Sequence, residues 1–350
     1  MSFNRFKHFG QSLTASFGVK HHYIGLELGS STVRLVCNGS IRAQKESVVS
    51  QIGAIRSKQI IAKGVIADVS AAQALVYSLV PSLADQPSFL AQYTAWCVIP
   101  SASTQIEQDL FLSALPKIPW VTWKLLPKAQ VYKSNMSHFF SDAGMQTSID
   151  IGADTTELHI FPTSDLAEKP TSFQSPLLQS SPFQSPQKVQ QSFSETLYWG
   201  TRDLEQMLQM LIRDIYQVQL SPESFAKVFT QLGTDLFSAK TVSKANFAVR
   251  AQSLASGRPI TITLKAQDIQ PAFLEWFEYL TLGLQVILHR NRTLEVSSAL
   301  EQGIVIIGGG ATIGDIVAAL SDFFAVPTTT VPEPRLWLVK GLQLLTKNGL

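Results

Sequence analysis

Apolar residues recur along this chain in two rhythms. Short blocks closed by glycine or proline predict strands. Tyr23–Val36 (YIGLELGSSTVRLV) reads as strand, turn and strand, and Ser148–Ile160 (SIDIGADTTELHI) repeats that plan. Ala95–Ile99 is a buried strand ended by Pro100, Ile260–Leu264 alternates as a strand does, and Gly303–Gly314 (GIVIIGGGATIG) runs from an apolar strand through three glycines into a helix. Spacings of three and four predict helices over 70–80, 201–219, 221–232 and 268–289. The last places Phe273, Trp276, Leu280, Leu284 and Ile287 on one side. Thr104-Gln105-Ile106-Glu107 forms a capping box, Ser221 is an N-cap followed by Pro222 in the first turn, and 120–135 reads as strand, turn and helix.

The two strand–turn–strand stretches carry the candidate chemistry. Asp150 stands at the end of its strand and the chain turns on Gly152, which puts backbone N–H groups into one concavity suited to phosphate. In the other copy Glu27 takes the place of Asp150, Gly29 that of Gly152, and Ser31 and Thr32 those of Asp154 and Thr155. Internal repetition is a fold-level signal. The pair resembles the duplicated hairpins with which the actin, Hsp70 and sugar-kinase fold holds a nucleotide's phosphates between two lobes. The glycine stretch resembles the adenosine motif of that superfamily. The expected fold is therefore α/β and two-lobed. Its phosphate- and nucleotide-binding residues would be Gly29, Ser30, Ser31, Thr32, Asp150, Gly152, Thr155, Gly308, Gly309, Gly310 and Ala311, and Glu27 and Asp150 would hold Mg2+ through water.

Composition narrows the class. At 350 residues and 45% hydrophobic content the chain can bury two cores, and 28 basic against 26 acidic residues gives no footprint for nucleic acid. Cys37 and Cys97 both fall on predicted strands, which suits packed, reduced thiols and a cytosolic setting. The six histidines show no metal-ligand spacing. No run is long and apolar enough to span a membrane.

Two segments stand apart. Residues 1–18 contain no acid, and Phe3, Phe6, Phe9, Leu13 and Phe17 share one helical face beside Arg5 and Lys7. That pattern predicts an amphipathic anchor on an anionic membrane surface, with a helix packed on its own protein, or a tail, as the competing readings. Residues 163–195 shift to Ser, Gln and Pro and repeat Phe173-Gln174-Ser175-Pro176 as Phe183-Gln184-Ser185-Pro186. This predicts a disordered insertion or a short binding motif.

Further words of sequence sharpen the resemblance. Gly64-Val65-Ile66-Ala67-Asp68, Asp150-Ile151-Gly152 with Thr155-Thr156-Glu157, Leu254–Leu264 (LASGRPITITL), Gly303–Ala311, and Pro334 with Gly341 resemble the MreB family of bacterial actins. That family implies ATP and Mg2+ binding, self-association into filaments on the inner face of the cell membrane, and another MreB and the cell-wall elongation machinery as candidate partners. It also implies one lobe of 19–145 with 327–350, a second of 146–326, and a small subdomain at 47–63 that is reduced here. Several positions depart from the family pattern. Glu27 replaces an Asp, Thr32 and Val33 an Asn and a Thr, Ala153 and Asp154 two glycines, Leu126 the water-orienting Glu, Ala226 and Phe229 a Glu and a Lys, and Trp199 a glycine. The expectation is an MreB-like filament or scaffold in cell-shape determination with little or no ATP hydrolysis. The alternatives are an ordinary ATP-driven filament and, more distantly, a phosphotransferase of the same fold.

Overall fold

The computed structural model describes residues 20–49, 58–83, 91–118, 121–136, 145–162, 192–231, 236–237 and 246–349. The anchor expected at 1–18 lies outside them, as do most of the Ser/Gln/Pro-rich segment and part of 47–63. The chain divides into two compact units, Met1–Ser134 with Val339–Leu350, and Asn135–Leu338.

The first unit is built on five strands: β1 (Lys20–Leu28), β2 (Thr32–Cys37), β3 (Ser40–Glu46), β4 (Ala91–Ile99) and β5 (Val121–Pro127). They lie in the order β3-β2-β1-β4-β5, with β1–β2 and β2–β3 antiparallel and β1–β4 and β4–β5 parallel. Asn38 and Gly39 turn the chain from β2 to β3 at φ 47° and 80°, the left-handed pair that a two-residue hairpin loop requires. Lys63 and Gly64 do the same between the short paired strands Ile61–Ala62 and Val65–Ile66. Asp68 then caps α1 (Val69–Tyr77), its carboxylate accepting from the Ala71 N–H at 2.9 Å. The expected capping box forms at the start of α2 (Gln105–Ala114), where Glu107 Oε2 accepts from the Thr104 N–H at 2.7 Å. α3 (Lys128–Met136) follows β5. Ile24, Leu26, Val33, Leu35, Ala95 and Cys97 lie at the centre of this core, against Val76 of α1 and Phe111 of α2.

The second unit repeats the sheet. Its strands are β6 (Met145–Ile151), β7 (Thr156–Pro162), β8 (Phe193–Leu197), β12 (Ile304–Ile307) and β13 (Thr328–Thr330), ordered β8-β7-β6-β12-β13. Again the first three are antiparallel and the rest parallel. Two expected boundaries move for physical reasons. Phe193–Glu195 belong to β8 rather than to the insertion, because they pair with Leu158–Ile160. The strand at Thr328–Thr330 pairs with β12 and so holds 327–338 in this unit.

Between β8 and β12 stand α4 (Thr201–Tyr216), β9 (Val218–Leu220), α5 (Pro222–Gln231), β10 (Asn246–Ser253), β11 (Pro259–Lys265), α6 (Ala266–Arg290) and α7 (Leu294–Glu301). The helix expected to reach 219 stops at Tyr216. Gln217 is left-handed at φ 53°, and Val218–Leu220 pair with β10 instead. Ser221 caps α5 as expected, its Oγ accepting from the Ser224 N–H. All five α6 residues expected on the apolar side are buried, packed with Leu204, Leu208 and Ile212 of α4. α8 (Ile316–Phe324) and α9 (Trp337–Asn348) complete the described helices, and α9 from Val339 onward belongs to the first unit. There Gly25 admits Leu342, whose Cδ2 would lie 3.0 Å from a Cβ at that position.

Candidate nucleotide-binding site

The two candidate hairpins share one turn geometry. In β1–β2 the Gly29 N–H donates to the Thr32 carbonyl at 3.1 Å, and in β6–β7 the Gly152 N–H donates to the Thr155 carbonyl at 2.9 Å. A Cβ on Gly29 would lie 2.8 Å from Thr32 O, and one on Gly152 would lie 2.9 Å from Thr155 O. Glycine is therefore required in both copies by the same backbone approach. Ser30, Ser31 and Thr32 lie partly open at the first turn, while Asp154 and Thr155 are buried at the second.

The second unit brings its own predicted residues together. Asp150 and Ile307 are register partners on parallel strands, so the β6–β7 turn and the loop Gly308–Ala311 leave the same end of the sheet. Ligands of open α/β sheets bind at that carboxyl end. A Cβ on Gly308 would collide with Asp150 Oδ1, and one on Gly310 with the Ile151 side chain, so these two glycines serve the packing of loop on strand. Gly309 differs. It has no positive φ, and nothing lies within 4 Å of where its Cβ would be. Packing leaves its residue type unconstrained, and a bare backbone there admits the close approach of a flat ligand.

The electrostatics are set by two arginines that sequence reading did not single out. Glu27 and Arg34 are register partners across β1–β2, and Arg34 Nη1 donates to Glu27 Oε2 at 2.8 Å while its Nε donates to Gln44 Oε1 at 3.0 Å. Hairpin register could have found this pair, since both residues stand at matching distances from the turn. At the other turn Arg202 Nη1 donates to Asp154 Oδ1 at 2.5 Å. Asp154 is a carboxylate that incoming phosphate would otherwise meet, and Arg202 is the cation that answers it. Nothing in sequence spacing announces Arg202, which reaches the turn because the start of α4 is stitched onto it. The Thr201 and Arg202 N–H groups donate to the Gly152 and Ala153 carbonyls at 3.0 and 2.8 Å, and any Cβ on Gly200 would strike Ala153 O. Ser47 also went unnoticed. Buried, it donates its N–H to Ser31 O and its hydroxyl to Gly29 O, fixing the first turn from outside.

Three other departing residues, Leu126, Phe229 and Trp199, are absorbed by packing. Leu126 is a buried residue of β5, paired in register with Val98. Phe229 on α5 meets Phe273 edge to face at 6.3 Å. Trp199 turns toward α6, donating from Nε1 to Trp276 O at 3.1 Å and lying against Tyr279 at 5.2 Å. Trp276 returns a bond to Gly200 O at 2.8 Å. Ala226 lies on α5. Among the described residues no cluster of three His, Cys, Asp or Glu could hold a metal ion. Glu27 could meet Mg2+ only by sharing its carboxylate with Arg34, so this hairpin fits a metal poorly.

A sheet repeated in two units, each opening on a glycine-turned hairpin, and a glycine loop beside the second hairpin define an actin-like fold. Solved structures agree: MreB5 of Spiroplasma citri bound to ADP superposes with a TM-score of 0.73 at 18% identity, covering 94% of this chain and 97% of that one. A MamK double helical filament gives 0.67 at 16% identity, over 93% and 98%. The family model for MreB/Mbl proteins matches residues 192–349. The cell shape-determining protein Mbl of Bacillus cereus is 20% identical over 287 residues, 81% of this chain and 77% of that protein. Residues 192–349 thus match the MreB/Mbl family, and the chain as a whole is similar to MreB and Mbl proteins at low identity.

Proposed function

We propose that this chain is a cell-shape cytoskeletal protein that assembles with itself into filaments around a nucleotide site with little or no turnover. Relatives named for cell-shape determination and a fold neighbour solved as a filament support the cytoskeletal part. The observation that carries the second part is the pair of arginine-answered carboxylates, Glu27–Arg34 and Asp154–Arg202. Phosphoryl transfer in such sites relies on positioning and electrostatics. Here the hairpin charges are spent on one another, and Leu126 offers no acceptor for an attacking water. On the second unit ATP would be held by backbone groups of Gly152–Thr155 and Gly308–Ala311, with Asp150 the better candidate for Mg2+ through water, and on the first unit Gly29–Thr32 offer a phosphate turn of the same geometry. An ordinary ATP-driven filament is the second reading, favoured by the bare backbone at Gly309.

Equilibrium ATP binding with and without Mg2+, phosphate release and sedimentation test this on the intact chain. Expected are weak binding, negligible release and pelleting that does not depend on added nucleotide, with Asp154→Gly raising affinity severalfold. Robust ATPase activity abolished by Asp150→Ala would restore the ordinary filament. Membrane attachment through residues 1–18, and work beside the wall-elongation machinery, belong to the same reading. Deleting 1–18, or changing Phe6 and Phe9 to Glu, is expected to release the protein from anionic liposomes. Undiminished binding by those variants would remove the anchor from the reading.

A further inference from the structure

α6 is apolar on two sides. Its inner stripe, Phe273, Trp276, Leu280, Leu284 and Ile287, fills the core of the second unit. Its outer stripe is equally regular: Tyr279, Leu282 and Val286 are 55%, 49% and 48% exposed, flanked by exposed Glu275 and His289. The positions 275, 279, 282, 286 and 289 alternate in steps of four and three, the spacing with which one helix seats against another. Folding of the unit does not call for this second stripe, because the inner one already meets α4.

The charges at its two ends specify the occupant. Glu275 and Glu278 stand exposed toward the N-terminal end, His289 and Arg290 toward the C-terminal end. A two-fold axis through Leu282 sets Glu275 of one helix opposite His289 of another, each about 10 Å along the axis from the centre at 1.5 Å rise per residue. Arg290 is within reach of the same acids, and Tyr279 falls opposite Gln285 and Val286. A parallel arrangement would set acid on acid and base on base. We propose that this face binds a second copy of the same chain, α6 against α6 in antiparallel register, with Leu282 meeting its own copy at the axis. Such a contact is isologous: one patch serves both partners. A single helical stripe is smaller than the roughly 1,600 Å² of a standard stable interface, so the pairing is weak and reversible between isolated copies.

Cysteine cross-linking on the full chain tests the register. The native thiols of Cys37 and Cys97 are buried. Leu282→Cys therefore adds one accessible thiol, and it lies at the axis. Under mild oxidation this variant is expected to give a disulfide-linked dimer at least tenfold faster than Thr261→Cys, placed on the exposed face of β11. Glu275→Arg with Glu278→Arg should slow the linking about tenfold, and adding His289→Glu and Arg290→Glu should restore it. In a separate measurement, Leu282→Lys should abolish the concentration-dependent dimer seen by sedimentation velocity. Dimers forming no faster than in the Thr261→Cys control, or insensitivity to charge reversal, would overturn the proposal. So would protection of the introduced thiol by anionic vesicles without dimer formation, which would make the face a lipid contact. Protection that disappears on deleting 163–191 would assign the face to that segment and equally overturn it.

Discussion

Glu27 and Asp154 are both hairpin carboxylates met by an arginine, but their partners come from different distances. Arg34 lies on the strand facing Glu27, seven residues away, and the pair forms as soon as the hairpin does. Arg202 lies 48 residues from Asp154, on a helix that must first dock on the turn. Exposure differs in the same sense. That holds for the carboxylates, 13% exposed at Glu27 against 3% at Asp154, while the arginines run the other way, 11% at Arg34 against 17% at Arg202. The first pair is therefore a local adjustment that can be lost cheaply. The second ties the phosphate turn to the rest of its unit, and a change there is transmitted to α4.

The largest effect expected from breaking this comparison is at Arg202. Arg202→Ala removes the cation beside a buried carboxylate, a loss on the order of 3 kcal/mol in chemical denaturation. Adding Asp154→Gly should recover most of it, because the uncompensated charge goes too. If the double variant is as unstable as the single, Arg202 acts through packing, and the contrast with Arg34 fails.

Next come the glycines, where the two hairpins should behave alike. Gly29→Ala and Gly152→Ala each press a Cβ to within 3 Å of a backbone carbonyl that closes the turn. Each is expected to cost about 2 kcal/mol, within the range for overpacking. A large loss at one and none at the other would show that the duplicated geometry is not under equal constraint. Arg34→Ala is smaller still, about 1 kcal/mol, since Glu27 can turn to water once its partner is gone.

How far the sequence carried depended on the range of each interaction. The two hairpins, the capping box at Thr104, the Ser221 cap and the inner face of α6 were legible because each is written within a few residues. The repeat visible in the hairpins extends further than their words do: the whole five-stranded order recurs, carried by pairings such as Ile24 with Ala95 and Ile149 with Ile306 that no local word encodes. The end of α4 was misread because Gln217 adopts a left-handed conformation available, at some cost, to any residue, and because β9 is held only by its pairing with β10. Of the site, the glycines and Asp150 were visible and the arginines were not. A hairpin register would have given Arg34. Arg202 needed the docking of α4, which rests on the buried side chains of Leu204, Leu208 and Ile212.

Glu205 offers the finest probe of that docking. Three residues further along α4 from Arg202, its carboxyl is pushed up by burial, and the Arg202 guanidinium works against that rise. A carboxyl with a raised value in the folded state holds its proton more tightly there than when unfolded. Its contribution is therefore favourable below the usual carboxylate range and is lost as pH rises through the folded value, leaving a desolvated charge at neutrality. Glu205→Gln should stabilise the protein at pH 7 by less than about 1 kcal/mol, and the gain should close as the pH is lowered below about 4. Because Arg202 offsets part of the burial cost, the same substitution should gain more in the Arg202→Ala background. A pH-independent gain, or one unchanged by removing Arg202, would mean that the guanidinium is engaged wholly by Asp154, and the turn and the helix would then be coupled through that one carboxylate alone.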